Sequence, residues 1–145
     1  FFFCWRVTKG IVENCIAADN MQSGLSIGHK DTHNIIRNSE FSNNRFYGLF
    51  FRNEPHHMGA NFNLVENCTI RNNGRLDSGY GFAGIRMRGS TNNVRLINNK
   101  IIFENGPEGK TIGVVMEENV HDIVLEGNEF TGCSKDTHDK WIIED

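Results

Sequence analysis

This chain of 145 residues is long enough for one domain with a core of its own. Its net charge of −3 and pI near 6.1 argue against a nucleic-acid partner, because no basic face stands out. The longest apolar run, residues 1–5, is far too short to span a bilayer, so no membrane span is expected.

Short strands joined by turns are indicated by fifteen glycines, only two prolines and brief bursts of Phe, Ile and Val. A repeat organises them: an aliphatic residue, a polar bend with Asn, and an apolar residue five positions after the first. The repeated segments are IVENCI (11–16), IRNSEF (36–41), VENCTI (65–70), LINNKI (96–101) and LEGNEF (125–130). Four of them follow a Gly-led apolar tetrad: GLSI (24–27), GLFF (48–51), GIRM (84–87) and GVVM (113–116).

Each unit is too small to bury its own apolar face, so the units are expected to stack as parallel strands about 4.8 Å apart. The pattern predicts an all-β parallel solenoid of about five coils, forming a single domain over residues 1–145, with units starting near 11, 36, 65, 96 and 125. Two inward ladders are predicted in the tetrads: Leu25, Leu49, Ile85 and Val114, and then Ile27, Phe51, Met87 and Met116.

Asparagine suits the tight bends because it tolerates the left-handed backbone region. Asn38, Asn67 and Asn98 fall at the same place in successive units. We therefore expect their side-chain amides to pass hydrogen bonds along the stack.

The G-φ-x-φ tetrads and φ-x-N-x-x-φ bends resemble the right-handed parallel β-helix of the pectin-lyase-like superfamily, over roughly residues 10 to 132. The resemblance implies a module of a longer exported protein acting on polysaccharides, hence an extracellular or periplasmic location. No signal peptide and no amphipathic capping helix are visible in the sequence. We expect a segment of a longer solenoid, or end-to-end self-association through uncapped coils.

Four cysteines stand at positions 4, 15, 68 and 133, without CxxC spacing or a His-rich zinc pattern. Cys15 and Cys68 are expected two coils apart, roughly 10 Å, which is too far for a disulfide. Free, mostly structural thiols are predicted at positions 15, 68 and 133, and Cys4 is not placed in the repeat. Metal ligands are not predicted, and the use of calcium stays open.

A column of charged residues is predicted on the outer side of the tetrad strands, because alternate side chains face outward. Its strand members are Arg52, Arg86, Arg88 and Glu117, and the following loops add His29, Lys30, Asp31, Glu54, His56 and His57. One interpretation is a groove that binds an acidic polysaccharide. The arginines would bind uronate carboxylates, together with Asp31 and Glu117 as further substrate contacts.

Lyase or epimerase chemistry needs a base for the C5 proton of a uronate, for which His29, Lys30 and His56 are candidates. A glycoside hydrolase would instead use two carboxylates, chosen from Asp31, Glu54 and Glu117. The alternative is a non-catalytic structural or adhesive solenoid, in which these charges form ordinary cross-strand ion pairs.

Two short strings resemble motifs of polysaccharide-active families. GHK (28–30) is similar to the G-H-G of polygalacturonases, although Lys30 replaces the second glycine and the acidic motifs of that family are absent. YGLFFRNEPHH (47–57) is similar to the Y-G…D-P-H tract of alginate epimerases, with Glu54 in the place of Asp. The longest insertion, RLDSGYGF (75–82), is expected to overhang the charged column.

Overall fold

The structure, a computed structural model, describes residues 1–74 and 82–141, and for Trp141 the backbone alone. Within these ranges the chain forms fifteen strands and no helix. The strands are β1 (Ile11–Glu13), β2 (Ile16–Ala18), β3 (Leu25–Ile27), β4 (Ile35–Arg37), β5 (Glu40–Ser42), β6 (Leu49–Phe51), β7 (Leu64–Glu66), β8 (Thr69–Arg71), β9 (Phe82–Met87), β10 (Arg95–Ile97), β11 (Lys100–Ile102), β12 (Thr111–Glu117), β13 (Val124–Glu126), β14 (Glu129–Thr131) and β15 (Lys135–Trp141). No candidate membrane-crossing helix occurs in residues 1–74 or 82–141.

The strands form three parallel sheets of five, and each strand pairs with the strand three positions later in the chain. The first sheet has the order β1-β4-β7-β10-β13, the second β2-β5-β8-β11-β14, and the third β3-β6-β9-β12-β15. Each coil therefore contributes one strand to every sheet. The predicted all-β parallel solenoid of five coils is confirmed.

The core lies between the three sheets and is built from ladders of equivalent residues. Both predicted ladders of the third sheet are confirmed: Leu25, Leu49, Ile85 and Val114 pair in register, as do Ile27, Phe51, Met87 and Met116, and all eight are buried. Each fully buried aliphatic or aromatic side chain contributes roughly 1.5–3 kcal/mol, so these ladders are a main source of stability.

The first coil differs from the predicted register by one residue. Val12, not Ile11, pairs with Ile36, and Ala17, not Ile16, pairs with Phe41. Ile11 and Ile16 point outward and are 56% and 70% exposed. The reason lies in the bend: Asn14 has a φ of 53° and stands where Asn38, with a φ of 50°, stands in the next coil. The position of the bend sets the register, and the small Ala17 then takes the inward place.

The predicted amide ladder of Asn38, Asn67 and Asn98 is wrong. These residues do occupy the left-handed region, with φ between 50° and 54°, but their side chains are exposed. The residue after the bend is the one that turns inward: Asn99 Nδ2 donates to Asn128 Oδ1 at 3.1 Å. A second ladder follows β2, β5 and β8, where Asn20 donates to Asn44 and Asn44 to Asn73, at 2.8 and 2.9 Å.

The N-terminal residues add a further rung to the third sheet. Phe2 bridges Ser26 in parallel, and the Phe3 N–H donates to the Ser26 carbonyl at 2.9 Å. The Phe3 side chain packs against the core. This rung extends the edge of the third sheet beside β3.

All four cysteines are free thiols, which confirms the prediction for Cys15, Cys68 and Cys133. Cys15 and Cys68 share one column with Ser39 between them, since the Cys15 N–H donates to Ser39 Oγ at 3.1 Å and Thr69 donates to the Ser39 carbonyl. Burial raises the pKa of the Cys68 thiol to about 11. Cys68 is therefore a core residue.

Candidate functional site

The predicted charged column divides into two clusters on the outer side of the third sheet. The Arg52 cluster consists of His29, Asp31, Arg52 and Glu54, and the Arg86 cluster of Arg86, Arg88, Glu117 and Tyr47. Parallel stacking brings each cluster together from different coils, because the register repeats at every rung. Lys30 and His56, although predicted with them, belong to neither cluster.

Arg52 is the centre of its cluster and lies back along the sheet toward the N-terminal rung. Its guanidinium donates to Ser26 Oγ at 3.0 Å and to the Phe3 carbonyl at 3.2 Å. Gly28 makes this possible, because a Cβ there would lie 2.7 Å from Arg52 Nε. Arg52 was predicted to bind substrate, but its guanidinium is engaged by the protein itself.

Asp31 is fully buried, so its predicted place on the substrate-contacting wall is corrected. Its carboxylate accepts from the Val7 N–H at 2.8 Å and the Gly28 N–H at 3.0 Å, and it lies 3.4 Å from Arg52 Nη2. These bonds fix the turn in which His29 and Lys30 both have positive φ, of 45° and 61°. Two consecutive left-handed residues with large side chains cost roughly 1–2 kcal/mol each. Asp31 thus holds the strained turn that presents His29.

His29 and Glu54 form a close pair between adjacent coils. His29 Nδ1 lies 3.1 Å from Glu54 Oε1, with the histidine side chain 41% exposed and the glutamate 10%. Arg52 Nη2 also lies 3.4 Å from Nδ1. Nδ1 would have to be unprotonated to accept a hydrogen bond from the guanidinium, but protonated to donate one to the carboxylate. The carboxylate contact is the shorter one, so we assign the proton to Nδ1. Nε2 is then the ring nitrogen with a lone pair for a ligand proton.

In the Arg86 cluster, Glu117 Oε2 accepts from both Arg86 Nε, at 2.9 Å, and Arg88 Nε, at 2.7 Å. Arg86 is buried and also donates through Nη1 to the Tyr47 hydroxyl. The expectation that outward strand positions form an open wall therefore fails for Arg86. It fails because this part of the outer face carries a second apolar cluster, containing Tyr47, Ala83 and Val115. Arg88 keeps 27% of its side chain exposed.

A groove of about 970 Å³ adjoins the Arg52 cluster, with Glu54 on its wall. Its other lining residues include His56, His57, Asn61, Asn92 and His121. Asn61, Asn92 and His121 were missed as site residues in the sequence. The signal was present, since NFN (61–63) and NNV (92–94) occupy the same place in successive coils. The Asn92 N–H accordingly donates to Asn61 Oδ1 at 3.0 Å, and Asn92 bridges His121.

Lys30 and His56 are exposed. Over residues 1–74 and 82–141, neither takes part in an ion pair. In the same part of the chain no three His, Cys, Asp or Glu side chains converge to hold a metal ion. The predicted overhang of the insertion at 75–82 lies outside the described residues, apart from Phe82 in β9.

A comparison with curated proteins and one with solved structures gave no match. The family model described as a right handed beta helix region matches residues 2–138, nearly the whole chain. This match agrees with the three parallel sheets, the five coils and the inward ladders. The chain belongs to the right-handed β-helix family.

Proposed function

We propose that this β-helix module binds an acidic polysaccharide in the groove beside the Arg52 cluster and removes a proton from it, as a lyase or an epimerase does. The observation that carries the proposal is the His29–Glu54 pair, with Nδ1 and Oε1 3.1 Å apart. A buried carboxylate that accepts from one ring nitrogen orients a histidine and stabilises the imidazolium formed when the other nitrogen takes a proton.

The chemistry requires a base and positive charge near the sugar carboxylate. His29 Nε2 takes the C5 proton of a uronate residue. In a lyase the C–H electron pair then forms the C4=C5 double bond, and the glycosidic oxygen at C4 leaves with a proton from His56, on the wall of the groove. In an epimerase, C5 instead receives a proton from a water molecule on the opposite side of the sugar ring, and His29 releases the proton that it took to solvent. Lys30 and the exposed part of Arg88 are the cations that we assign to the sugar carboxylate.

Elimination or epimerisation is favoured over hydrolysis by the partners of the acidic residues. A hydrolase needs one carboxylic acid to protonate the leaving oxygen and a second carboxylate across the bond. Asp31 is buried and bonded to backbone N–H groups, and Glu54 and Glu117 each contact arginine. Arg52, Arg86, Asp31 and Glu117 are better suited to supporting the site than to contacting substrate.

Polymeric galacturonate, mannuronate and guluronate are the substrates to test. We expect the 145-residue chain to bind at least one of them and to form either an unsaturated sugar, detected by its ultraviolet absorbance, or an epimerised one, detected by NMR. Turnover should be lost in His29→Ala and kept in the matched control His33→Ala, which removes an exposed histidine that stacks on Phe62 and belongs to neither cluster. If no uronate polymer binds or changes, the module is a non-catalytic solenoid. An acidic polysaccharide as partner also implies an extracellular or periplasmic place of action.

A further inference from the structure

Two aromatic side chains, Phe2 and Trp5, form a patch on the rung next to the Arg52 cluster. They are 61% and 60% exposed. Single exposed apolar residues are ordinary on protein surfaces, so exposure alone assigns no role to them. What distinguishes this N-terminal aromatic patch is that each ring is stacked on a member of the candidate site.

Each of the two rings packs against a charged or ionisable side chain of the Arg52 cluster. Arg52 Cζ lies 4.4 Å from the centre of the Phe2 ring, and the Phe2 backbone is fixed by its bridge to Ser26. The Trp5 indole stacks on the His29 imidazole, with ring centres 5.2 Å apart and planes 29° apart. Both rings are thus oriented before any ligand arrives, and more than half of each side chain stays open. Pre-oriented groups lose little conformational entropy on binding.

We infer that Phe2 and Trp5 form a stacking subsite for the sugar residue next to the one at His29, in an anionic oligosaccharide that runs along the stack of coils. The inference rests on the proposed function and extends it by assigning a second position on the glycan. An aromatic face carries partial negative charge, and the C–H groups on one face of a pyranose carry partial positive charge, so the two stack favourably. Arg6, with Cζ 5.8 Å from the Trp5 ring centre, supplies positive charge for the carboxylate of that sugar.

Neighbouring rungs make the subsite continuous with the proton-abstracting pair. Trp5 belongs to the turn that precedes the His29 turn by one coil, and the Arg6 N–H donates to the His29 carbonyl at 3.0 Å. Successive rungs are about 4.8 Å apart. A glycan along the stack therefore meets first the aromatic patch, then His29, and then the groove beyond Glu54.

The test is the affinity of the 145-residue chain for hexamers of galacturonate and of mannuronate, measured by calorimetry. Trp5→Ala and Phe2→Ala are each expected to weaken binding of the accepted hexamer by about 2- to 10-fold, the range for loss of one aromatic stacking contact. Trp5→Phe keeps a ring and should retain most of the affinity. Met21→Ala is the matched control, because Met21 is an apolar residue, 71% exposed, that belongs to neither cluster.

Wild-type affinity in both alanine variants, while the unmodified chain binds a hexamer, would overturn the subsite and leave the proposed function standing. Failure of the unmodified chain to bind either hexamer, or a hexamer of guluronate, would overturn both. The alternative occupant of the patch is a second copy of the chain. If the alanine variants abolish self-association in sedimentation experiments without changing hexamer affinity, the patch is a self-association surface and the subsite is again overturned.

Discussion

His29 and Glu54, from adjacent coils, meet with Nδ1 and Oε1 3.1 Å apart, beneath the indole of Trp5. Neither residue lies in a strand. Both stand in the turns that leave the third sheet, and the parallel register of β3 and β6 brings those turns together. The pair is therefore a product of the stacking of coils, and its geometry depends on the residues that fix the two turns.

Asp31 is the residue on which the His29 turn depends most. Asp31→Ala removes the acceptor of the Val7 and Gly28 N–H groups and leaves the largely buried Arg52 without one partner. We expect a loss of about 2–4 kcal/mol in the free energy of unfolding, measured by urea denaturation. Glu13→Ala is the control, because Glu13 pairs with Arg37 at an exposed position and should cost less than about 1 kcal/mol. Equal losses in the two variants would contradict the role assigned to Asp31.

The corrected amide ladder can be tested by comparing two neighbouring asparagines. Asn99 is buried, accepts from the Cys68 N–H at 2.9 Å and donates to the Val65 carbonyl at 3.0 Å. Asn99→Ala should lower the unfolding free energy by about 2–4 kcal/mol, because buried backbone groups lose their partners. Asn98→Gly should change it little, since Asn98 is exposed and glycine accepts its φ of 54°. A larger loss for Asn98→Gly than for Asn99→Ala would restore the ladder first expected.

Cys68 links stability to alkaline pH. Burial raises its pKa from 9.0 to about 11, so above pH 9 the unfolded chain releases the thiol proton while the folded chain retains it. Stability from this group is complete below pH 9 and falls as the pH rises toward 11, by about 1–3 kcal/mol.

The measurement is the difference in unfolding free energy between the unmodified chain and Cys68→Ser, at pH 8 and at pH 11. Serine is compatible with this column, because Ser39 occupies the equivalent place one coil earlier. Subtracting the variant removes the contribution of other groups that titrate in this range. We expect the difference in unfolding free energy between the unmodified chain and Cys68→Ser to fall by about 1–3 kcal/mol from pH 8 to pH 11. A difference that stays constant with pH would contradict the raised pKa of Cys68.

The inward ladders were predictable because strand alternation and the tetrad spacing specify them residue by residue. The predicted register of the first coil was wrong by one position. Ile11 and Ile16 have the same spacing as the inward residues of the other coils, but the bend at Asn14 sets the register. The extra rung at residues 1–3 was missed as well. FFFCW precedes the GLSI unit by about one repeat, but its lack of a leading glycine concealed the match.

The side of the sheet that carries the charged column was predictable, but the exposure of its arginines was not, because their side chains are long. Alternation gives the direction of a Cβ, but an arginine is long enough to lie back along the sheet. Arg52 does so over Gly28, and Arg86 is covered beside Tyr47. The sequence therefore indicates which side of the sheet carries charge, whereas the number of open charges depends on packing between coils. The role of His29 in catalysis stays a prediction.

Loss of the C5 proton signal of a uronate oligomer in deuterium oxide, followed by NMR, tests the central claim most directly, because both elimination and exchange at C5 remove that signal. The measurement compares the unmodified chain with His29→Ala and Glu54→Gln on the oligomer that the unmodified chain accepts. General-base catalysis is worth about 10²- to 10⁴-fold, so His29→Ala should slow the loss of the C5 proton at least 100-fold, and Glu54→Gln should slow it by a smaller factor. Loss of the C5 proton with His29→Ala at the rate of the unmodified chain would contradict the claim that this pair between coils removes the proton.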